Sequence, residues 1–178
     1  MVKTTRSHVS KLKILGLMVF SLVLGIGLAS GDDYVVDVHE SISGGQLWYR
    51  VGNVDSESLT IAWGDSHKYD KGHTPMVDTD GSLVVEVHQG HATTDLWCRV
   101  GKINPETVEI DWGPSAKYDR GQIPTLALRG NVVVEVHQSH TGASDLWYHV
   151  GKVDATTKTI AWGASAKYDK GNFPSIGF

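Results

Sequence analysis

The amino-acid sequence predicts an all-β protein assembled from three copies of one unit of about 49 residues. Two observations predict this class. Four short motifs recur three times at nearly constant spacing, and the segments that carry them are rich in Val, Ile, Thr, Tyr and Trp, which favour strands. Residues 32–178 show no sustained helical periodicity. The three repeats are expected at about residues 32–80, 81–129 and 130–178.

The third repeat shows the four motifs best. They lie at residues 132–138, 146–151, 160–163 and 167–171, and Pro174 follows the last of them. The second repeat carries the same motifs 49 residues earlier, apart from a one-residue slip in the loop before the second motif. Loops absorb insertions, so the slip falls at a position that a repeat protein tolerates.

Each repeat contains four short strand candidates, separated by Gly, Asp, Ser and Pro. Around the third repeat they cover residues 125–128, 132–137, 146–153 and 159–162. Four strands in 40–50 residues are typical of a β-propeller blade, which predicts three propeller-type blades per chain. A β-trefoil also has three four-stranded repeats and remains the alternative.

The fourth motif, Lys-Tyr-Asp-x-Gly, is predicted to form a turn. Its aspartates are Asp70, Asp119 and Asp169. Asp in a turn usually accepts hydrogen bonds from nearby backbone N–H groups, and we expect that role for all three.

The register of the repeats predicts association. Residues 34–40 correspond to the second strand of a blade, and residues 174–178 correspond to a first strand. Propellers usually have at least four blades, so three are too few for a ring. We therefore expect a homodimer that completes a six-bladed ring, in which each chain covers a sheet edge of the other.

The N-terminus is typical of a secretory signal peptide. Residues 1–13 are polar and basic, residues 14–29 are apolar, and small residues precede the expected cleavage after Ala29 or Gly31. The apolar run of about 16 residues is shorter than the roughly 20 that span a bilayer. We therefore expect a signal peptide at 1–31 and a three-repeat module at 32–178, secreted to the cell exterior or the periplasm without membrane insertion.

Net charge and cysteine content limit the classes of partner and the covalent cross-links that the chain can have. The net charge is −4, and residues 1–31 hold four basic and no acidic residues, so the remaining 12 basic and 20 acidic residues give −8. An acidic protein is a poor match for nucleic acid or anionic lipid. The single cysteine, Cys98, permits no intrachain disulfide. It replaces Tyr49 and Tyr148 of the other repeats, which predicts an apolar filler in a packed position.

Twelve side chains are candidates for ligand binding. An indole face matches the C–H face of a sugar ring, and an Asp/Glu-x-His pair projects from one strand face, where it could bind hydroxyl groups. A structural role between blades remains open for both sets, whereas Trp63, Trp112 and Trp162 are expected in the blade-to-blade core. The candidates are Trp48, Trp97, Trp147, Asp37, His39, Glu86, His88, Glu135, His137, Arg50, Arg99 and His149.

Catalytic and metal sites are not expected. Threefold copying of the same residues disfavours catalysis, which needs one asymmetric constellation. The repeated histidines lie on different blades without the close spacing of a zinc motif, and the loops lack the alternating acidic ligands of calcium motifs. We therefore expect no cofactor and no enzymatic activity.

The motifs resemble a family of bacterial β-propeller lectin-like repeats. Its pattern includes Val-Val-Glu-Val-His-Gln, Leu-Trp-Tyr-Arg-Val-Gly and Trp-Gly-x-Ser-x-x-Tyr-Asp-x-Gly, which match across residues 34–178. The resemblance implies a binding module. With the repeated Trp and His it leads to the expectation of a secreted, multivalent carbohydrate-binding module whose partners are glycans or glycoconjugates. A structural or adhesion module that binds protein is the alternative. A glycosidase-type enzyme is less favoured, because no single repeat carries a carboxylate pair that the other repeats lack.

Overall fold

A computed structural model describes residues 34–178 and confirms the all-β class. This range contains 13 strands and no helix, so it holds no helix that could cross a membrane. The predicted signal peptide lies outside the described residues. The strands are β1 (Tyr34–Glu40), β2 (Gln46–Asp55), β3 (Thr60–Trp63), β4 (His67–Asp80), β5 (Leu83–Gly90), β6 (Asp95–Asn104), β7 (Glu109–Trp112), β8 (Ala116–Arg120), β9 (Gln122–Arg129), β10 (Val132–Gln138), β11 (Asp145–Asp154), β12 (Thr159–Trp162) and β13 (Ala166–Lys170).

Three structural units have nearly the length of the repeats, but the second and third begin one strand before the expected bounds of 81 and 130, because the strands after Pro75 and Pro124 pair with β5 and β10. In the third unit (122–170), β9, β10, β11 and β12 pair antiparallel in chain order, and β13 shares one edge of β11 with β12. The second unit (72–120) repeats this plan with the end of β4 and with β5, β6, β7 and β8. The first unit (34–71) contains β1, β2, β3 and the start of β4. The second and third units therefore contain all four strand candidates, with the pairing of a meander. The prediction of a first strand at 174–178 is wrong, because within residues 34–178 this segment has no neighbouring strand to pair with and forms none.

Strand β4 passes from the first unit to the second without a break. Its first residues pair with β2 and its last residues pair with β5. The equivalent passage between the second and third units is interrupted at Gly121, which separates β8 from β9. The described chain thus forms an eight-stranded and a five-stranded sheet, and the antiparallel strands curl into a shape like half a barrel.

The turn prediction for the Lys-Tyr-Asp motif is wrong. The motif forms a strand against the start of β2, β6 or β11, and the pairing skips its tyrosine, which becomes the extra residue of a β-bulge. Bulges re-aim side chains, and here the bulge directs Tyr69 toward the second unit. The local role of the aspartates is confirmed: Asp70 Oδ1 accepts a hydrogen bond from the Lys71 N–H at 2.8 Å, and the other two repeats do the same.

The units pack face against face. Side chains alternate along a strand, so each unit has a front face, which meets the preceding unit, and a back face, which meets the next. At the first junction, Tyr49 and Val51 on a back face pack against Val84, Ile103 and Ile110 on a front face. The second junction repeats this contact with Val85, Val87, Cys98, Val100, Leu126, Leu128, Val133 and Val153. Cys98 therefore lies in the core as the predicted filler.

Tryptophans of the third motif lie at these junctions. Trp112 stacks on Tyr69 with ring centroids 5.3 Å apart, and Trp162 stacks on Tyr118 at 5.0 Å. These contacts confirm the core prediction for both tryptophans. Trp63 is instead 41% exposed, because no unit precedes the first one within residues 34–178.

We predict that Gly101→Ala lowers the free energy of unfolding by about 2 kcal/mol, since overpacking costs that much in a tight core. A Cβ at this position would lie 2.4 Å from Ile110 Cγ2 and 2.9 Å from Trp112 Cε3. Urea unfolding followed by tryptophan fluorescence measures the change. The control is Gly130→Ala, where a Cβ meets nothing within 4 Å and only the φ of +59° opposes it. That control should cost about 1 kcal/mol, and a Gly101→Ala cost no greater than it would contradict the close packing.

Candidate functional site

A buried glutamate–histidine pair lies at each internal junction. Glu86 and His88 project from the front face of the second unit, and His88 Nδ1 lies 3.1 Å from both carboxylate oxygens of Glu86. The Tyr69 hydroxyl of the first unit donates a hydrogen bond to Glu86 Oε1 at 2.8 Å. Glu135 and His137 repeat the pair in the third unit. All four side chains of the two pairs are almost fully buried.

The junction tyrosines remain protonated. Burial raises the pKa of Tyr69 far above its ordinary value, and the nearby Glu86 carboxylate raises it further. Burial and the neighbouring Glu135 act on the pKa of Tyr118 in the same direction. The Tyr69 hydroxyl can therefore serve as a permanent donor to the buried Glu86 carboxylate.

Arg99 and His149 connect neighbouring units. Arg99 donates to the Gly113 carbonyl through Nε and Nη2 and to the Tyr69 carbonyl of the first unit through Nη1. His149 takes this place in the third unit, where its Nε2 lies 2.7 Å from Asp119 Oδ2 of the second unit. Neither side chain lines the pockets described next, so a ligand contact from either stays a prediction.

Two equivalent pockets open at the junctions. The first has a volume of about 290 Å³ and the second about 330 Å³, close to the smallest typical ligand sites of roughly 300 Å³. The first is lined by Asp70, Lys71, His88, Gly90, His91, Thr93, Asp95, Trp97 and Ser115. The second is lined by Asp119, Arg120, His137, Ser139, His140, Thr141, Asp145, Trp147 and Ser165.

Each pocket combines side chains from two units. The earlier unit contributes an aspartate and a cation, Asp70 and Lys71 in the first pocket. The later unit contributes the indole of Trp97, the imidazole of His88 and the carboxylate of Asp95. Lys117 and Lys167 fix the equivalent carboxylates Asp95 and Asp145 by ion pairs of 2.7 Å. The wall therefore offers an aromatic surface, hydrogen-bond donors and acceptors at fixed positions.

Asp119 is held as a carboxylate in the second pocket. Burial alone would raise its pKa, but hydrogen bonds from His149, the Arg120 N–H and Ser165, together with the nearby His137, keep the pKa below its ordinary value. The group remains ionised at neutral pH and can accept hydrogen bonds from a ligand.

The structure brings four of the twelve candidate residues into these pockets: Trp97 with His88, and Trp147 with His137. Glu86 and Glu135 lie directly behind the two histidines. Sequence reasoning missed the contributions of Asp70, Lys71, Asp95 and Ser115 and of their counterparts in the second pocket. The signal is the repetition of Ser and of Asp-Lys/Arg-Gly in all three repeats, of which we interpret only the aspartates, as turn residues.

The candidate residues of the first unit remain apart from both pockets. Asp37 and His39 form an exposed pair with Oδ2 and Nδ1 2.7 Å apart. Arg50 donates to the Gly64 carbonyl through Nε and Nη2. Trp48 and His39 occupy the positions of the pocket-lining Trp97 and His88, but within residues 34–178 no preceding unit supplies the aspartate and the cation.

Metal ligation and thiol reactivity are two further kinds of chemistry to consider among the described residues. Among residues 34–178, no three His, Cys, Asp or Glu side chains are grouped so that they could hold a metal ion. Burial raises the pKa of the Cys98 thiol to about 11, so the residue is a protonated core group at neutral pH.

A comparison with protein-family models finds no match, and no curated protein is similar enough to the chain to count as a relative. The resemblance to lectin-like propeller repeats therefore rests on the motifs themselves.

We predict that Glu86→Ala lowers the free energy of unfolding by about 3 kcal/mol, because it leaves the buried Tyr69 hydroxyl and His88 without their acceptor. Urea unfolding of dilute protein at pH 7 measures the loss. Glu106→Ala is the control, since Glu106 is an exposed carboxylate in the loop between β6 and β7. It should change stability by less than about 1 kcal/mol. Equal effects would show that the buried pair has no special role in stability.

A second prediction concerns pH. The pKa of Asp119 is lowered in the folded protein, so its contribution to stability is present above the unfolded pKa and is lost as the pH falls through the folded value. Asp119→Asn should therefore destabilise the protein by about 1 kcal/mol at pH 7, and this difference should shrink steadily below about pH 4. Urea unfolding between pH 2.5 and pH 7 tests this.

Asp169→Asn is the control for that series. Asp169 occupies the same position in the third unit, where its hydrogen bond comes from the Lys170 N–H. A difference for Asp119→Asn that stays constant with pH would mean that the carboxylate charge does not contribute.

Proposed function

We propose that the chain is a secreted, multivalent carbohydrate-binding protein whose sugar sites are the two junction pockets. The observation that carries the proposal is the repetition of one chemical set in two separate places. Each pocket combines an indole, an imidazole backed by a buried carboxylate, two aspartates, a Lys or Arg side chain and a serine. Repetition with so little change favours recognition of the same small ligand at both junctions.

The set matches the chemistry of a sugar. A pyranose ring has an apolar C–H face that suits an indole, and hydroxyl groups that both donate and accept hydrogen bonds. In the first pocket, Asp70 and Asp95 can accept from hydroxyls, and Lys71 can donate to them. His88 is only 1% exposed, and because its Nδ1 faces Glu86, Nε2 is the ring nitrogen left for a ligand in the pocket. Hydrogen bonds that involve an ionised partner are stronger than neutral ones, which compensates for a small contact area.

Two open pockets of this size predict weak individual binding, with a dissociation constant on the order of 1 mM. Fixing the pockets on rigid neighbouring units allows simultaneous contact with a dense glycan surface. Such multivalency can raise the apparent affinity by roughly 10²–10⁴.

We propose that the units are blades of a propeller rather than repeats of a trefoil. Support comes from the antiparallel meander of the third unit and from the packing of neighbouring units through their faces. Strands β4 and β9, the first strands of the second and third units, also contact each other, as inner strands of neighbouring blades do.

One observation favours a different function, that of a structural or adhesion module that binds protein. Glu86, Glu135 and His149 are buried and paired within the junctions, as expected for an architectural role. Binding rather than catalysis is proposed in either case, because two pockets with the same residues lack the single asymmetric arrangement that a catalytic site needs.

The test is a glycan array probed with the purified protein, followed by calorimetric titration of the best sugar. The double substitution Trp97→Ala and Trp147→Ala should weaken binding by at least about tenfold, the effect of losing one important contact. Phe173→Ala, which removes an exposed aromatic ring that lines neither pocket, should leave affinity unchanged. A folded protein that binds no sugar on the array would refute the carbohydrate proposal and favour the protein-binding alternative.

A further inference from the structure

We infer that the chain associates head to tail with a second copy of itself, through the front face of its first unit and the back face of its third unit. Within residues 34–178 these two faces are uncovered. Each carries the same kinds of side chain that the two internal junctions bury, so the ends of the chain are complementary to each other.

The front face of the first unit exposes apolar side chains that its counterparts bury. Val54 and Ile61 are each 40% exposed, whereas Ile103 and Ile110, at the same positions in the second unit, are 4% and 6% exposed. Trp63 is exposed where Trp112 stacks on a tyrosine. An uncovered apolar face of this kind marks an interaction surface.

The back face of the third unit is open in the same way. Val150 is 44% exposed, whereas Val51 and Val100, at the same position in the other two units, are each 1% exposed. Tyr148 and Tyr168 are also exposed on this face. The partner that this face lacks is a front face, and the front face of the first unit is the one left uncovered.

The internal junctions also indicate which polar contacts would form at the proposed junction between two copies. By analogy with Tyr69, Tyr168 of the second copy would stack on Trp63 and donate its hydroxyl hydrogen to Asp37. Arg99 donates through Nη1 to the Tyr69 carbonyl, whereas Arg50 has no such acceptor for Nη1 among the described residues. The carbonyl of Tyr168 in the second copy would supply it.

Residues 174–178 provide a further contact. They correspond to the segments that begin at Pro75 and Pro124, which pair with β5 and β10, but they form no strand themselves. Strand β1 is an edge of its sheet, so it has room for this partner. Ile176 already lies beside Tyr148 and Tyr168, against the back face of the third unit. Leu126, at the same position in β9, packs in the same way against the back face of the second unit. Addition of such a segment to an open edge is a common mode of recognition.

Gly171 supports the same arrangement. At the equivalent Gly121, a Cβ would lie 2.3 Å from Cδ2 of His137 in the next unit. At Gly171 the closest atom to such a Cβ belongs to Leu146 of its own unit, 3.2 Å away. The space that a histidine from a following unit would occupy is therefore open, and His39 of a second copy fits it.

A front-to-back interface is heterologous, and it either closes into a ring or grows into a filament. A propeller ring typically has four to eight blades, and two copies would supply six. Two copies would therefore close a ring, with two identical junctions between the chains and four within them. Closure also covers every uncovered face, which explains why a second copy is a better partner than a different protein.

Association would create a third pocket, and this consequence rests on the proposed function. Trp48, His39 and Ser66 of one copy would face Asp169 and Lys170 of the other, the positions that form the two internal pockets. The number of sugar sites per chain would rise from two to three.

The first experiment measures mass. Sedimentation equilibrium of the secreted protein, with every residue that follows the predicted signal peptide, should give a closed dimer. Ile61→Asp on the front face and Val150→Asp on the back face should each raise the dimer dissociation constant by at least about 30-fold, the effect of losing a central contact. Ile42→Asp is the matched control, because Ile42 is a fully exposed loop residue outside both faces, and it should leave the dimer intact. A monomer or an open polymer for the unaltered chain would overturn the inference.

Mixing the two variants tests the head-to-tail geometry. Each variant alone should be monomeric, but the mixture retains one intact junction and should form a heterodimer. If either variant alone still forms a stable dimer, the chains associate through like faces and the inference is wrong. Circular dichroism identifies any variant that fails to fold. The sedimentation data for the unaltered chain remain decisive in that event.

A disulfide tests the strand register. The pairing of β9 with β10 places Gly177 of one copy opposite Val36 of the other. The Val36→Cys, Gly177→Cys protein should form an interchain disulfide on mild oxidation, since directly opposed residues are within bonding range. The Val36→Cys, Ile176→Cys control places the second cysteine on the other face and should not. Cross-linking within one chain, or none, would contradict the strand addition.

Sugar titration separates this inference from the proposed function. A dimer that binds three sugars per chain supports both. A dimer that binds no sugar supports the association and refutes the carbohydrate proposal, whereas a monomer that binds two sugars does the reverse.

Discussion

The face-to-face junction between units is the contact on which the rest of the structure depends. Its centre is a stacked tryptophan and tyrosine, Trp112 on Tyr69 in the first junction, and the tyrosine hydroxyl donates to a buried glutamate. The apolar rings exclude water, and the hydrogen bonds satisfy the carboxylate that would otherwise be costly to bury. Without this contact neither the core nor the pockets would form, because both are made from two units at once.

Pocket chemistry follows from the same contact. Glu86 orients His88 from behind, and the bulge at the Lys-Tyr-Asp motif turns Tyr69 into the junction while it leaves Asp70 and Lys71 at the pocket wall. A junction built for stability thus holds polar groups at its rim in fixed positions. Repeating the junction repeats the pocket, which is why the copying of motifs in this chain favours a multivalent binder over an enzyme.

Much of the fold was predictable, because the strand period and the repeat spacing are local signals. The class, the four meander strands of the second and third units and the junction positions of Trp112 and Trp162 follow from them. The bulged strand at Asp119 was not predictable, since its Gly and Asp resemble turn residues until their pairing with β6 is known. Only part of each pocket was predictable. Trp97 and His88 belong to motifs that recur in the sequence, whereas Asp70 reaches the same pocket only because two units pack together. The sequence of a single repeat does not show that contact.

Sugar binding in the junction pockets is tested most directly by two-dimensional NMR. The titration follows the six tryptophan indole N–H signals while a panel of monosaccharides is added at high millimolar concentration. If the junction pockets bind sugar, the Trp97 and Trp147 signals will shift with the sugar, while those of Trp112 and Trp162, which stack on tyrosines at the junctions and line neither pocket, will remain in place. Shifts confined to the junction tryptophans, or no shift with any sugar, would contradict this proposal.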